Sequence, residues 1–209
     1  MSEIYNRFCE GLLATGWMEA IAVVSGIVSV WFSRKENILV YPTGLINTIL
    51  YTIISVNAQL FGEATVNLYY TIMSLYGWHQ WSRRNETMHK VIQISFSDKC
   101  WIKNQLLFFF SVLIIQFLTL NFIKTGFAKD VIPWADAVAS ASAFTAMWLM
   151  TRKKVESWLW WIITNFFSIP LYFVKGYVFT GVYYFVLLIL AIMGLISWNK
   201  KAKTNLQKI

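Results

Sequence analysis

The chain consists of long apolar stretches separated by short segments that are rich in charged or turn-forming residues. Each stretch approaches the roughly 20 residues that a helix needs to cross the hydrocarbon core of a bilayer. The pattern therefore predicts seven transmembrane helices. Their predicted bounds are Trp17–Phe32, Ile38–Val56, Glu63–Trp81, Asn104–Ile123, Val131–Met150, Trp158–Val174 and Tyr177–Trp198.

The composition indicates that lipid surrounds these helices. Hydrophobic residues make up 57% of the 209 residues and charged residues only 13%, whereas about 25% are charged in ordinary soluble domains. So few charges cannot form a polar shell around a soluble core. The net charge of +8 is not accompanied by a recognisable nucleic-acid-binding fold, so we expect membrane lipid and no nucleic acid as a partner.

The distribution of basic residues predicts the orientation. Of the 18 Lys and Arg residues, the seven-helix arrangement places fourteen on one side and four on the other. Cytoplasmic loops are enriched in these residues. We therefore expect the N-terminus outside and the C-terminus in the cytoplasm.

The two halves of the chain are similar at an offset of 117 residues. The matched residues include Trp17 and Trp134, Trp31 and Trp148, Gly77 and Gly194, and Trp81 and Trp198. Two such units can share one orientation only if an odd number of spans lies between them. The fold class predicted is therefore an all-α membrane protein, with two parallel three-helix repeats joined by a linker helix in a 3+1+3 arrangement. SWEET-type sugar transporters are similar, and in folds with parallel repeats the substrate site lies between the repeats near the bilayer midplane.

This arrangement divides the chain into six predicted segments. They are an N-terminal segment (1–16), the first repeat (17–82), a cytoplasmic loop (83–103), the linker helix (104–124), the second repeat (131–198) and a basic cytoplasmic tail (199–209).

No catalytic or metal-binding pattern is present in the sequence. The two histidines, His79 and His89, have no Cys or carboxylate at ligand spacing, and Cys9 and Cys100 lie far apart. The chain also lacks a phosphate-binding loop. We expect neither an enzyme nor a cofactor, and transport that this chain does not itself drive with ATP.

Polar side chains inside the predicted spans are the candidate functional residues, because such side chains are costly in hydrocarbon unless they face a cavity or one another. They are Asn47, Asn67, Asp136 and Asn165, with Gln59 at the outer end of the second span and Gln116 in the linker. A plain hydrogen bond between helices is the alternative for each amide. For Asp136, near the start of its span, the alternative is a solvated interfacial carboxylate.

Trp158, Trp161 and Asn165 lie on one helical face, because they are three, four and seven residues apart. Two indoles and an amide suit a flat aromatic or cationic ligand. An interfacial aromatic belt is the alternative, and it is stronger for Trp158 at the helix end. The tyrosines that are further candidates for the same cavity are Tyr51, Tyr69, Tyr70, Tyr183 and Tyr184.

Several motifs resemble the PnuC family of bacterial vitamin transporters. They are Trp158-x-x-Trp161-x-x-x-Asn165, Gly44-Leu45-Ile46-Asn47, Gln59-Leu60, Tyr76-Gly77-Trp78-His79-Gln80-Trp81, and the pair Pro133 and Asp136. The resemblance implies a SWEET-like homotrimer that carries nicotinamide riboside across the cytoplasmic membrane by facilitated diffusion. A cytoplasmic kinase would trap the vitamin by phosphorylating it. The substrate-binding residues expected are Trp161, Asn165, Asn47 and Asn67, with Trp158, Gln59, Asp136, Tyr51 and Tyr184 as weaker candidates.

The sequence departs from the family pattern at Asn67, where Gln is expected, and at Trp160 and Thr164. These departures are expected to re-shape the pocket, so thiamine, another flat cationic vitamin, is the alternative substrate. A membrane scaffold that transports nothing is the third interpretation, and it predicts no cavity between the repeats.

Overall fold

The computed structural model describes residue 6 and residues 16–57, 61–84, 92–126, 132–174 and 177–207, with the backbone alone for residues 61–63 and 123–126. Seven helices have bounds within these ranges, and each overlaps one predicted span. They are α1 (Trp17–Arg34), α2 (Val40–Asn57), α3 (Phe61–Ser82), α4 (Lys99–Gly126), α5 (Pro133–Thr151), α6 (Ser157–Val174) and α7 (Val178–Leu206). The predicted all-α fold of seven helices is confirmed.

Two helices extend beyond the apolar runs that predicted them. The α4 helix begins at Lys99, in the segment expected to be a loop, because the Asp98 carboxylate accepts a hydrogen bond from the Trp101 N–H at 2.8 Å and caps the new helix. The α7 helix continues to Leu206 through the basic tail. Long basic side chains tolerate such an extension, since they reach water from a helix that leaves the bilayer.

The helices pack as two groups of three. Within each group neighbouring helices contact each other, α1 with α2 and α2 with α3, and α5 with α6 and α6 with α7. The groups meet where α1 contacts α7 and where α3 contacts α5, and α4 packs on α5. The two junctions are equivalent in the repeat. When α1 is matched with α5 and α7 with α3, the contact of α1 with α7 corresponds to the contact of α5 with α3. This contact pattern agrees with the 3+1+3 arrangement.

One packing cluster occurs in both groups at the same offset of 117 residues. In the first, the rings of Tyr41 and Trp81 meet edge to face at 5.2 Å. In the second, Trp158 and Trp198 meet edge to face at 5.5 Å. A Cβ atom on Gly77 would lie 2.5 Å from the Tyr41 ring, and one on Gly194 would lie 2.5 Å from the Trp158 ring. The glycines that matched in sequence therefore admit equivalent rings, which supports the repeat.

Large apolar side chains cover the outer surface of the bundle. On α4 they include Leu107, Phe110, Ile114, Leu118 and Phe122. Three helical segments in the described part of the chain are long and apolar enough to cross a membrane by length and composition: Lys99–Phe122, Ser157–Val174 and Val178–Leu206. A surface of this kind is expected of a protein that is surrounded by lipid.

Candidate functional site

Three helices meet at Asn47. Its side-chain Nδ2 donates to the carbonyl of Ala22 on α1 at 2.7 Å, and the same amide lies beside the Tyr183 hydroxyl of α7. A Cβ atom on Gly26 would lie 2.5 Å from the Tyr183 hydroxyl and 2.7 Å from Asn47 Nδ2. Glycine at position 26 therefore lets the amide and the phenol approach each other across the junction between the repeats.

A group of aromatic rings connects α3 of the first repeat with α5 and α6 of the second. The rings of Tyr69 and Phe144 stack at 4.1 Å, and the Tyr69 hydroxyl donates to the Phe144 carbonyl at 3.1 Å. The Tyr70 ring lies 6.4 Å from Phe144 and 6.1 Å from Trp161. This group of rings therefore contains side chains from both repeats.

The tyrosines of α7 extend this aromatic surface. Tyr184 stacks on Tyr172 at 5.0 Å and lies 5.7 Å from Tyr183, and both Tyr183 and Tyr184 lie in the neighbourhood of Tyr70. We refer to the whole set as the inter-repeat aromatic cluster. It consists of Tyr69, Tyr70, Phe144, Trp161, Tyr183 and Tyr184.

Asn165 places an amide beside Trp161 on α6. Its side chain is on the same α6 face as Trp161, one turn further along, and only 3% of the residue is exposed. Its amide forms no hydrogen bond with the residues that the structure describes. An amide both donates and accepts hydrogen bonds, so this position suits a ligand that supplies acceptors and donors.

The corresponding position in the first repeat has a different character. Thr48, 117 residues before Asn165, is also buried, but its hydroxyl is hydrogen-bonded to Thr71 Oγ1 at 2.9 Å. The two repeats are therefore chemically unequal at this level, and the unsatisfied amide belongs to the second.

Trp158 lies in the packing cluster described above. It is 1% exposed, and its ring fills the space that Gly194 leaves open beside Trp198. It lies on the same face of α6 as Trp161 and Asn165, as the spacing predicts. Its contacts favour a packing role over contact with a ligand.

The expectation that Trp160 and Thr164 re-shape the pocket is not supported by their contacts. Trp160 donates from Nε1 to the Gln105 Oε1 of α4 at 3.0 Å, and its ring packs on Phe109 at 4.6 Å. The Thr164 hydroxyl donates to the carbonyl of Trp160 at 3.0 Å. Trp160 precedes Trp161 by one residue and is therefore rotated by about 100° around the helix axis. This rotation turns Trp160 toward the linker helix.

The remaining predicted residues are less informative. Asp136 accepts from the backbone N–H of Ile132 at 2.9 Å, so it caps the start of α5. Tyr51 and Asn67 are partly buried on α2 and α3. Gln59 lies outside the described residues, as do Cys9 and His89.

Sequence reasoning missed Gly26 and Phe144. A glycine inside a helix costs about 1 kcal/mol relative to alanine, so Gly26 could have been recognised as a point of close approach. Phe144 is one of 16 phenylalanines, and nothing in its local pattern distinguishes it.

The side chains brought together here are aromatic rings, hydroxyls and amides. In the part of the chain that the structure describes, no group of three His, Cys, Asp or Glu side chains is placed to hold a metal ion. Aromatic rings and the amides of Asn165 and Asn47 are groups that could contact a flat, polar molecule.

Comparison with known proteins agrees with this interpretation. The sequence model of a family described as "Nicotinamide mononucleotide transporter" matches residues 16–200. The nicotinamide riboside transporter PnuC of Escherichia coli is 28% identical over 207 residues, with 90% of this chain and 87% of that protein covered. The riboflavin/roseoflavin transporter RibM of Streptomyces davaonensis is 22% identical over 205 residues, with 98% and 93% covered.

A solved structure shares the fold. The crystal structure of the vitamin B3 transporter PnuC superposes with a TM-score of 0.68 at 21% identity, and the match covers 96% of this chain and 90% of that one. The arrangement of the helices is therefore one that a vitamin transporter uses.

Proposed function

Because the chain belongs to the nicotinamide mononucleotide transporter family, a family of membrane transporters, we propose that it carries nicotinamide riboside across the bacterial cytoplasmic membrane by facilitated diffusion. The PnuC relatives named for this vitamin support the substrate. The single observation on which the site assignment rests is the buried amide of Asn165 beside Trp161, which has no hydrogen-bond partner among the described residues.

The chemistry of the ligand suits the site. Nicotinamide riboside is a flat cation joined to a sugar, and its carboxamide and ribose hydroxyls both donate and accept hydrogen bonds. We assign the pyridinium ring to Trp161 and Tyr70, because cation–π attraction contributes about 0.5–2 kcal/mol depending on desolvation. Asn165 and Asn47 then bind the carboxamide and the hydroxyls. Asn67, Tyr51 and Tyr184 are assigned to the wall of the same site.

The proposed mechanism is alternating access. The two repeats rock about the site and expose it in turn to either side. Diffusion ends at equal concentrations, so net uptake needs a cytoplasmic kinase that phosphorylates the vitamin and traps it. We place the N-terminus outside and the C-terminus in the cytoplasm, in keeping with the lysines at the end of α7. The family resemblance suggests a homotrimer, for which the exposed apolar surface of α4 is available.

Riboflavin is the second candidate substrate, because RibM is similar along 98% of this chain. Its ring system is flat and would stack on the same aromatic residues, but it carries no positive charge and gains no cation–π attraction. Thiamine is cationic and remains the alternative inferred from the sequence. The three vitamins can be compared directly by calorimetric titration of the detergent-purified protein.

We expect saturable binding of nicotinamide riboside, and replacement of Trp161 by Leu should raise its Kd by about 2- to 30-fold, the equivalent of one cation–π contact. The physical reason is the loss of the indole face, while the leucine still excludes water. Isothermal titration calorimetry of both proteins measures the change.

Trp160→Leu is the matched control, since it removes a neighbouring indole that faces α4. Its Kd should stay within about twofold of the original, although the lost hydrogen bond costs about 1 kcal/mol of stability. Equal weakening by both substitutions would contradict the site. Binding of riboflavin without nicotinamide riboside would favour the second candidate.

A further inference from the structure

The ends of α1 and α5 have the same backbone geometry. Glu36, just after α1, donates its N–H to the Ser33 carbonyl, and Lys153, just after α5, donates its N–H to the Met150 carbonyl. The next N–H in each case reaches one residue further back, from Asn37 to Phe32 and from Lys154 to Leu149. All four positions match at the offset of 117 residues. Both helices therefore end in the same Schellman-type cap.

The residue at the critical position of each cap is unusual. Glu36 has φ 59° and Lys153 has φ 52°, and they are the two non-glycine residues with positive φ in the described part of the chain. Glycine is the default there, because it adopts this conformation without a steric penalty. Both repeats thus carry a charged residue in a left-handed backbone conformation that glycine would adopt at lower cost.

The two residues form an ion pair with each other. Lys153 Nζ lies 2.7 Å from Glu36 Oε1, with side chains that are 1% and 16% exposed. Lys201 Nζ approaches the other carboxylate oxygen at 3.4 Å. The ammonium of Lys153 also lies 4.6 Å from the centre of the Trp81 ring. Separation of the pair is unfavourable, because each charge then loses its nearest partner of opposite sign in a largely buried place.

Neighbouring contacts join the same two helix ends. The Ser33 hydroxyl donates to Met150 Sδ at 3.1 Å, again across an offset of 117 residues. The Trp198 indole donates from Nε1 to the Ser33 carbonyl at 3.1 Å. A cavity of about 300 Å³ lies beside the ion pair, with Asn37, Ile38 and Trp81 in its wall. Water can therefore reach the edge of this junction.

We propose that the Glu36–Lys153 pair is a latch that closes the junction between the repeats at their cytoplasmic end and separates each time the site opens to the cytoplasm. The inference rests on the proposed function for the side of the membrane and for the opening. The pair joins equivalent points of the two repeats, so any motion that parts the repeats at this end must break it.

Labelling of a reporter thiol tests the latch without any vitamin. Ser33→Cys, placed in a background with Cys9→Ser and Cys100→Ser, puts the thiol at the junction. The reagent is a membrane-impermeant methanethiosulfonate added to inside-out vesicles. We expect Lys153→Glu and Glu36→Lys each to raise the labelling rate roughly tenfold or more, because each leaves like charges together in a buried place. The combined reversal, Glu36→Lys with Lys153→Glu, should restore protection.

Lys203→Glu is the control, since it reverses an exposed charge at the same end of α7 and should leave the rate unchanged. Labelling of both single variants at the original rate would overturn the latch. So would a double variant that stays as reactive as the singles, or a thiol that reacts faster only from the outer side. If a single reversal does not fold, Glu36→Gln carries the same prediction, with faster labelling expected and an unchanged rate contradicting it. Failure of nicotinamide riboside to bind would instead contradict the proposed function and leave this result standing.

Discussion

Replacing Asn165 by Leu should lower the uptake of nicotinamide riboside by roughly 100-fold or more while the protein still folds. A site that binds its ligand through hydrogen bonds binds it far more weakly once the protein side of a hydrogen bond is removed. Polar groups of the ligand are then buried unpaired. Leucine has a similar size, so the loss would come from chemistry rather than shape. Uptake of radiolabelled vitamin into liposomes that contain the purified variant measures the effect.

Replacement of a buried polar residue usually lowers the stability of a protein, but Asn165→Leu should not lower it. The Asn165 amide has no hydrogen bond to the described residues, so leucine breaks no such bond and the melting temperature should not fall. Asn121→Leu is the matched control, because Asn121 is exposed on α4 and its amide donates within its own helix, to the Phe117 carbonyl. It should leave uptake unchanged. Full uptake by Asn165→Leu would contradict the site assignment.

The second large effect is expected at Gly194, where alanine should lower the free energy of unfolding by about 1–3 kcal/mol, the usual cost of overpacking a dense core. The added Cβ would lie 2.5 Å from the Trp158 ring. This ring is itself packed against Trp198, so it has little room to move. Thermal unfolding of the detergent-purified variant, followed by loss of monodispersity, measures the change.

Gly77→Ala should have an effect of similar size, because the repeat puts Gly77 in the same relation to Tyr41. Gly16→Ala is the control, since a Cβ atom added at Gly16 would meet no atom of the described residues within 4 Å apart from its chain neighbours. A change at Gly194 that is no larger than the change at Gly16 would show that the packing cluster is looser than its geometry indicates.

The sequence was a good guide to the helices and to the repeat. In lipid, the backbone N–H and C=O groups of an apolar run that spans the bilayer must be hydrogen-bonded within a helix. The seven helices could therefore be predicted from the lengths of the apolar runs alone. The offset of 117 residues predicted which glycines and rings correspond, and Gly77 and Gly194 indeed admit equivalent rings. Periodicity also placed Trp158, Trp161 and Asn165 on one face of α6.

The sequence pattern could not predict which residue each side chain contacts. Periodicity predicts the helix face on which a side chain lies but not the residue opposite it. Gly194 lies opposite Trp158 and leaves room for its ring. Gln105 lies opposite Trp160 and accepts a hydrogen bond from its indole. The role of Asp136 as a cap depends on the local backbone at Ile132. The ion pair of Glu36 and Lys153 joins residues 117 positions apart, and the sequence pattern did not predict this contact.

Counterflow in liposomes tests the central claim most directly. Liposomes that contain the purified protein and a high concentration of unlabelled nicotinamide riboside are diluted into a trace of the labelled vitamin, with no ATP and no ion gradient. A facilitative transporter exchanges the two, so the label should accumulate transiently inside, and Asn165→Leu should abolish the accumulation. Absence of counterflow in the unmodified protein, or counterflow with riboflavin but not with nicotinamide riboside, would contradict the account.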